Sequence, residues 1–101
     1  MNLFGLSSNY ITKINSVFHQ YSNIDEVLIF GSRAKGNYRE NSDIDLAIKG
    51  QNISLSTLQE IEIKLEELYI PNFIDLIVFD NIENSELISH IDRVGKQFYK
   101  K

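Results

Sequence analysis

The chain has 101 residues, a formal net charge of −4 and a pI near 5.0. Apolar residues make up 43% and charged residues 24%, an ordinary globular balance that argues against wholesale disorder. No apolar run approaches the ~20 residues that span a bilayer, and cysteine is absent, which excludes disulfides, thiolate nucleophiles and cysteine-based zinc sites.

A length of this order supports one small domain, residues 1–101, and leaves no room for a second, substrate-holding one. The N-terminus lacks the basic start and apolar stretch of a signal peptide, so a cytoplasmic protein without a membrane anchor is expected. The acidic balance offers no electrostatic footprint for nucleic acid. The locally basic end, Lys96, Lys100 and Lys101, reads as cations complementing the negative end of a last helix.

In chain order, Ser7 or Ser8 can cap a first helix reaching about Tyr21, with Ile11, Ile14, Phe18 and Tyr21 as its apolar stripe. Glu26 to Phe30 is a β-branched and aromatic run stopped by Gly31, a buried strand. Gly31-Ser32-Arg33-Ala34-Lys35-Gly36 follows as a helical turn, then a polar stretch to Ser42. From Asp43 to Lys49 the residues alternate, with Ile44, Leu46 and Ile48 on one face and Asp43, Asp45 and Ala47 on the other.

Ser54 to Tyr69 carries two signals. Residues 60 to 66 alternate as a strand would, while Leu55, Leu58, Ile61, Leu65 and Leu68 form a helical stripe. A capping box at Ser56/Gln59 or Thr57/Glu60 and the Glu60–Lys64 spacing favour helix, and Pro71 stops it. Asn72 to Asp80 is a third strand, with Ile74, Leu76 and Val78 opposite Phe73, Asp75, Ile77 and Phe79. Ser85 opens a last helix with the stripe Leu87, Ile91, Val94 and Phe98. The order αββαβα implies an α/β (α+β-like) fold, helices packed on a small mixed sheet.

The chemistry concentrates in three places. Asp43 and Asp45 are two residues apart on one strand, so their Cα atoms are ~6.6 Å apart and both side chains leave the same face. Two such charges about 5 Å apart repel by about 3 kcal/mol at an effective dielectric of 20. A cation should offset that repulsion, or one pKa should rise. Asp75 interrupts an otherwise apolar strand and is expensive to bury unless paired; Arg33, Arg39 and Arg93 are candidate partners. Three carboxylates on neighbouring strands would suit Mg²⁺ or Mn²⁺, with two ions able to hold both oxygens of an in-line phosphoryl displacement. Finally, a strand running into Gly31-Ser32 and a helical turn is a natural phosphate seat, with Arg33 and Lys35 close enough to add positive charge. Taken singly, an Asp-x-Asp pair or a Gly-Ser turn is commonplace.

Jointly, Gly31-Ser32-Arg33-Ala34-Lys35-Gly36, then Ser42-Asp43-Ile44-Asp45-Leu46, with ten residues between Gly31-Ser32 and Asp43, then Asp75, resemble the signature of the DNA polymerase β-type nucleotidyltransferase superfamily. The closest resemblance is to its minimal nucleotidyltransferases (MNT domains). Leu87-x-x-x-Ile91-x-x-x-Gly95-x-x-x-Tyr99 is also similar to the family's last helix. Lys35 stands where many members have Arg, which keeps the charge and loses the planar fork.

The resemblance implies a nucleotidyltransferase fold and transfer of a nucleoside monophosphate from an NTP to a hydroxyl with release of pyrophosphate. It makes Asp43, Asp45 and Asp75 the catalytic metal ligands, with two Mg²⁺ ions, and gives the nucleotide phosphates to Gly31 and Ser32, helped by Arg33 and Lys35. Stand-alone members look like antitoxins paired with a HEPN ribonuclease toxin, so the implied reaction is transfer of AMP from ATP to a toxin tyrosine within a hetero-oligomer. The alternative is a non-catalytic antitoxin that blocks its toxin sterically. His19 and His90 read as surface histidines. Tyr38 is placed to stack on a base, and Arg39 to touch phosphate or solvent.

Overall fold

The computed structural model describes residues 2–101. Its elements in chain order are β1 (Asn2–Leu3), β2 (Leu6–Ser7), α1 (Ser8–Phe18), β3 (Ile24–Phe30), α2 (Gly31–Lys35), β4 (Ile44–Gly50), α3 (Leu55–Glu66), β5 (Ile74–Val78), a 3-10 turn (Phe79–Asn81), α4 (Ser85–Val94) and β6 (Lys96–Lys100). The expected mixed α/β architecture is present, a four-stranded sheet with helices packed on it.

The sheet runs in the order β5-β4-β3-β6. β3 is antiparallel to both β4 and β6, and β5 is parallel to β4. Alternation along the strands divides the core as the sequence predicts. Ile44, Leu46 and Ile48 join Ile14, Phe18, Ile61 and Leu76 in the larger cluster, under α1 and α3. Ala47 lies on the other face with Phe30 and Ile91, where Leu28, Ile77, Phe79 and Leu87 pack around them. The site described below opens on this second face, the one that α4 covers.

The segment 54–69 holds the helix Leu55–Glu66 despite the alternation at 60–66. Ile61 and Leu65, one turn apart, are buried, while Ile63 between them is exposed, so the four-residue spacing and not the two-residue spacing meets the core. The helix is capped by Ser54, whose hydroxyl accepts from the Thr57 N–H at 3.1 Å. This lies earlier than the capping boxes expected at Ser56 and Thr57. The Glu60–Lys64 pair forms, at 3.4 Å. At the other end of the chain, Ser7 caps α1, its hydroxyl accepting from the Tyr10 N–H at 3.3 Å. That helix ends at Phe18, short of Tyr21.

Two features depart from expectation. The N-terminal hairpin β1-β2 turns on Phe4 and Gly5, both at positive φ (59° and 72°), the dihedral sign that a tight two-residue hairpin turn demands. Phe4 is not a residue type that signals such a turn. The last helix ends at Val94, and Gly95 donates to the Ile91 carbonyl at 2.8 Å. Lys96–Lys100 then pairs with β3 as an edge strand. Phe98 is therefore a core residue of a strand, not part of a helical stripe, and the Leu87 to Tyr99 segment is not one helix. Lys96, Lys100 and Lys101 do not complement a helix end: Lys100 lies opposite Glu26 across the sheet, and Lys101 Nζ donates to the Ser22 carbonyl at 2.6 Å. The physical reason is the free edge of β3, whose backbone groups need partners that only a strand supplies.

No helix among the described residues is long and apolar enough to cross a membrane.

Candidate functional site

β3, β4 and β5 deliver their acidic and phosphate-turn residues to one end of the sheet. Phe30, the last residue of β3, lies opposite Asp45 on β4. Asp45 in turn lies directly across from Asp75 on β5. Adjacent strands are about 4.8 Å apart, and Asp43 precedes β4 by one residue, on the same face as Asp45. The pairing of β4 with β5, which the sequence leaves open, brings the three carboxylates together at the level of strand register.

Gly31 turns the chain out of β3 at φ +72°. A Cβ built there would collide with the Asp45 carboxylate. Glycine is thus required twice, for its backbone conformation and for the closeness of the carboxylate. Ser32 follows in α2, a five-residue helix whose N-cap residue, Phe30, supplies no side-chain cap. The Gly31 N–H donates to His90 Nε2 at 3.2 Å, and the His90 ring stands edge-on to Phe30.

The charges respond as like charges should. Burial first, then the charges of Asp75 and Asp43, push the Asp45 carboxyl above its ordinary value, while His90 and Arg33 pull the other way. Among the described residues the one ion pair within 4.0 Å is Lys64–Glu60, so none of Arg33, Arg39 and Arg93 pairs with Asp75. Nor are three His, Asp or Glu side chains among the described residues gathered closely enough to hold a metal in this conformation. Asp43 and Asp75 are exposed, and mutual repulsion opposes closer approach of their oxygens to Asp45. Hard oxygen donors on one face, with an uncompensated negative field at Asp45, fit a divalent cation such as Mg²⁺ or Mn²⁺.

The cationic residues sit differently from one another. Arg33 is 2% exposed. Its guanidinium donates to the carbonyls of Phe4 (2.9 Å), Glu40 (3.2 Å) and Ser42 (2.9 and 3.2 Å), and it stacks on the Tyr38 ring at 5.2 Å. Arg33 is therefore a clamp on the loop leading into Asp43, and it occupies one face of the Tyr38 ring. Lys35 is exposed at the end of α2. The Arg39 N–H donates to Ser42 Oγ at 2.8 Å, within the same loop.

Two residues at the site have no site role in the sequence reading, which takes His90 as a surface histidine although it is half-buried against the Gly31 amide. His90 reaches the turn through the register of α4, next to the core-facing Leu87 and Ile91; its helical position flanking that stripe is the only signal available. Asn72 donates to the carbonyls of Glu40 (3.0 Å) and Ser42 (3.2 Å) and so ties the loop before Asp43 to the segment before β5. His19, by contrast, contacts Tyr99 at 3.5 Å.

Residues 12–101 match the polymerase β nucleotidyltransferase domain model. The chain belongs to this nucleotidyltransferase family. Its fold is that of MNT antitoxins. A crystal structure of a toxin–antitoxin pair with AMP-PNP superposes with a TM-score of 0.72 at 24% identity, covering 95% of this chain and 75% of that one. The MntA–HepT toxin–antitoxin gives 0.70 at 20% identity over 94% and 74%. A tri-AMPylated Shewanella oneidensis HEPN toxin in complex with its MNT antitoxin gives 0.68 at 19% identity over 92% and 71%. No curated protein matches the sequence significantly.

Proposed function

We propose that this nucleotidyltransferase moves AMP from ATP onto a tyrosine of a partner HEPN ribonuclease toxin, in the presence of Mg²⁺, and thereby acts as the antitoxin of the pair. The observation that carries the reading is the Gly31 turn at the end of β3 packed against Asp45 on β4, with Asp75 directly across on β5. The likeness to a complex whose HEPN toxin is AMPylated supports the choice of acceptor, and the AMP-PNP complex supports the choice of nucleotide.

In this reading Asp43, Asp45 and Asp75 hold the divalent ions, two if the site fills completely. A bound Mg²⁺ or Mn²⁺ supplies charge that offsets the phosphates and lowers the pKa of the acceptor hydroxyl. Ser32 holds the terminal phosphates through its backbone N–H and hydroxyl, and Gly31, lacking a side chain, lets them approach the turn closely. Lys35 contributes positive charge from the end of α2, and Arg33 acts by positioning the loop that carries Asp43. The tyrosine oxygen forms a bond to the α-phosphorus, the bond from that phosphorus to the α–β bridging oxygen breaks, and pyrophosphate leaves with the electron pair. The phenolic proton passes to Asp75 or solvent. From a free tyrosine near pKa 10 to an ordinary aspartate near 3.9, that transfer is uphill by about 6 units, or about 8 kcal/mol. Asp75 is accordingly a ligand first and a proton acceptor second.

The test is to incubate the protein with ATP, Mg²⁺ and the HEPN-type protein encoded beside it, and to weigh the partner by intact-mass spectrometry. AMP additions that disappear with Asp45→Asn support the reading. Failure of every NTP to give an adduct, while Asp43→Ala still neutralises the toxin, refutes it in favour of steric blocking.

A further inference from the structure

Beyond β5, at the edge of the sheet, a groove of about 450 Å³ runs from Glu62 and Glu66 on α3, past Tyr69 and Phe73, to Asp75. We propose that this groove docks the acceptor polypeptide, and that it selects a segment carrying apolar side chains and lysine or arginine around the acceptor hydroxyl. The inference rests on the transfer reaction proposed above.

Direction is the first argument. The Gly31 turn follows the end of β3, Asp45 lies on β4 and Asp75 on β5, and these strands are neighbours in that order. An in-line displacement places the leaving group and the nucleophile on opposite sides of the reacting phosphorus. With pyrophosphate leaving at the Gly31-Ser32 turn, the nucleophile enters from the β5 side. The groove lies at that end, and Asp75 is part of its wall.

Surface chemistry is the second. Phe73 is 67% exposed and Tyr69 is 89% exposed, an aromatic pair left against solvent beside the site. Tyr69 follows α3 at φ 54°, its N–H donating to the Glu66 carbonyl at 3.1 Å, and this turn leaves its ring in solvent. Apolar side chains of a partner would cover both rings.

Charge decides the kind of occupant. Glu62 and Glu66 are one helical turn apart and exposed, Asp75 closes the other end, and among the described residues no cation pairs with any of them. An acidic groove repels a triphosphate and a nucleic-acid backbone alike. A basic, apolar stretch of protein is attracted by the same carboxylates and covers the same rings.

The test uses two synthetic peptides, each with one tyrosine, flanked by leucine and lysine in one and by glycine and serine in the other. They are titrated into the ¹⁵N-labelled protein, and AMP transfer to each is measured separately with ATP and Mg²⁺. The leucine–lysine peptide should bind about tenfold more tightly and shift amides between residues 62 and 75. Glu62→Lys with Glu66→Lys should abolish that preference while leaving AMP-PNP binding unchanged, and Phe73→Ser should weaken the peptide about fivefold. Equal binding of the two peptides, shifts confined to other surfaces, or a preference that survives the charge reversal overturns the proposal. AMP transfer to both peptides alike, unaffected by these variants, overturns the docking site and leaves the transfer reaction standing. Selective binding in the groove without any AMP transfer supports the docking site and refutes the reaction.

Discussion

Gly31 and the carboxylate of Asp45 are so close that a methyl group on the glycine would collide with the aspartate. The turn that ends β3 and the acid on β4 are therefore packed against each other, and a side chain at position 31 would make the Asp45 carboxylate move.

Gly31→Ala combines this collision with a left-handed φ of +72°. The expected loss is about 1–3 kcal/mol of stability, read as a lower urea midpoint, together with weakened AMP-PNP binding. Unchanged stability would mean that the chain leaves the sheet at a different angle.

Asp45→Asn should stabilise the protein near neutral pH. The folded chain holds the Asp45 proton more tightly than the unfolded chain, because of burial and the charges of Asp75 and Asp43. Stability from that proton is present below the ordinary carboxylate pKa and is lost as pH rises through the raised value. Removing a like charge directly across the strands is worth roughly 0.2–1 kcal/mol. The gain should appear in thermal melts at pH 7 and vanish at acidic pH, below the ordinary carboxylate range. Mg²⁺ should raise the melting temperature of the wild type and leave Asp45→Asn unmoved.

Arg33→Ala should cost about 1–3 kcal/mol by removing the guanidinium's hydrogen bonds to the carbonyls of Phe4, Glu40 and Ser42, the last two keeping Asn72 as a donor. Hydrogen exchange of residues 37–43 should quicken. Arg33→Lys keeps the charge but loses the forked geometry, so it should still destabilise. Full stability in Arg33→Lys with a loss confined to nucleotide affinity would instead assign Arg33 to phosphate.

Asp75→Asn should bring AMP transfer to the partner below detection, while thermal melts show a folded protein, since Asp75 is exposed and makes no ion pair among the described residues. Substantial turnover with normal Mg²⁺ binding would remove Asp75 both as ligand and as proton acceptor.

Local patterns in the sequence were enough to place the helix over Ile61 and Leu65, the two faces of β4 and β5, and Asp43 and Asp45 on one face of their strand. Each of these depends on periodicity within a single element, which the side-chain order records directly. Spacing could not distinguish a long last helix from a helix and an edge strand, because Leu87, Ile91, Val94 and Phe98 satisfy the helical period whether or not the chain turns at Gly95. The open edge of β3 made that choice. The job of Arg33, the approach of His90 to the Gly31 amide and the groove beside Asp75 were likewise decided by tertiary structure. Each joins residues far apart in the chain, and such contacts exist only once the strands have taken their order in the sheet.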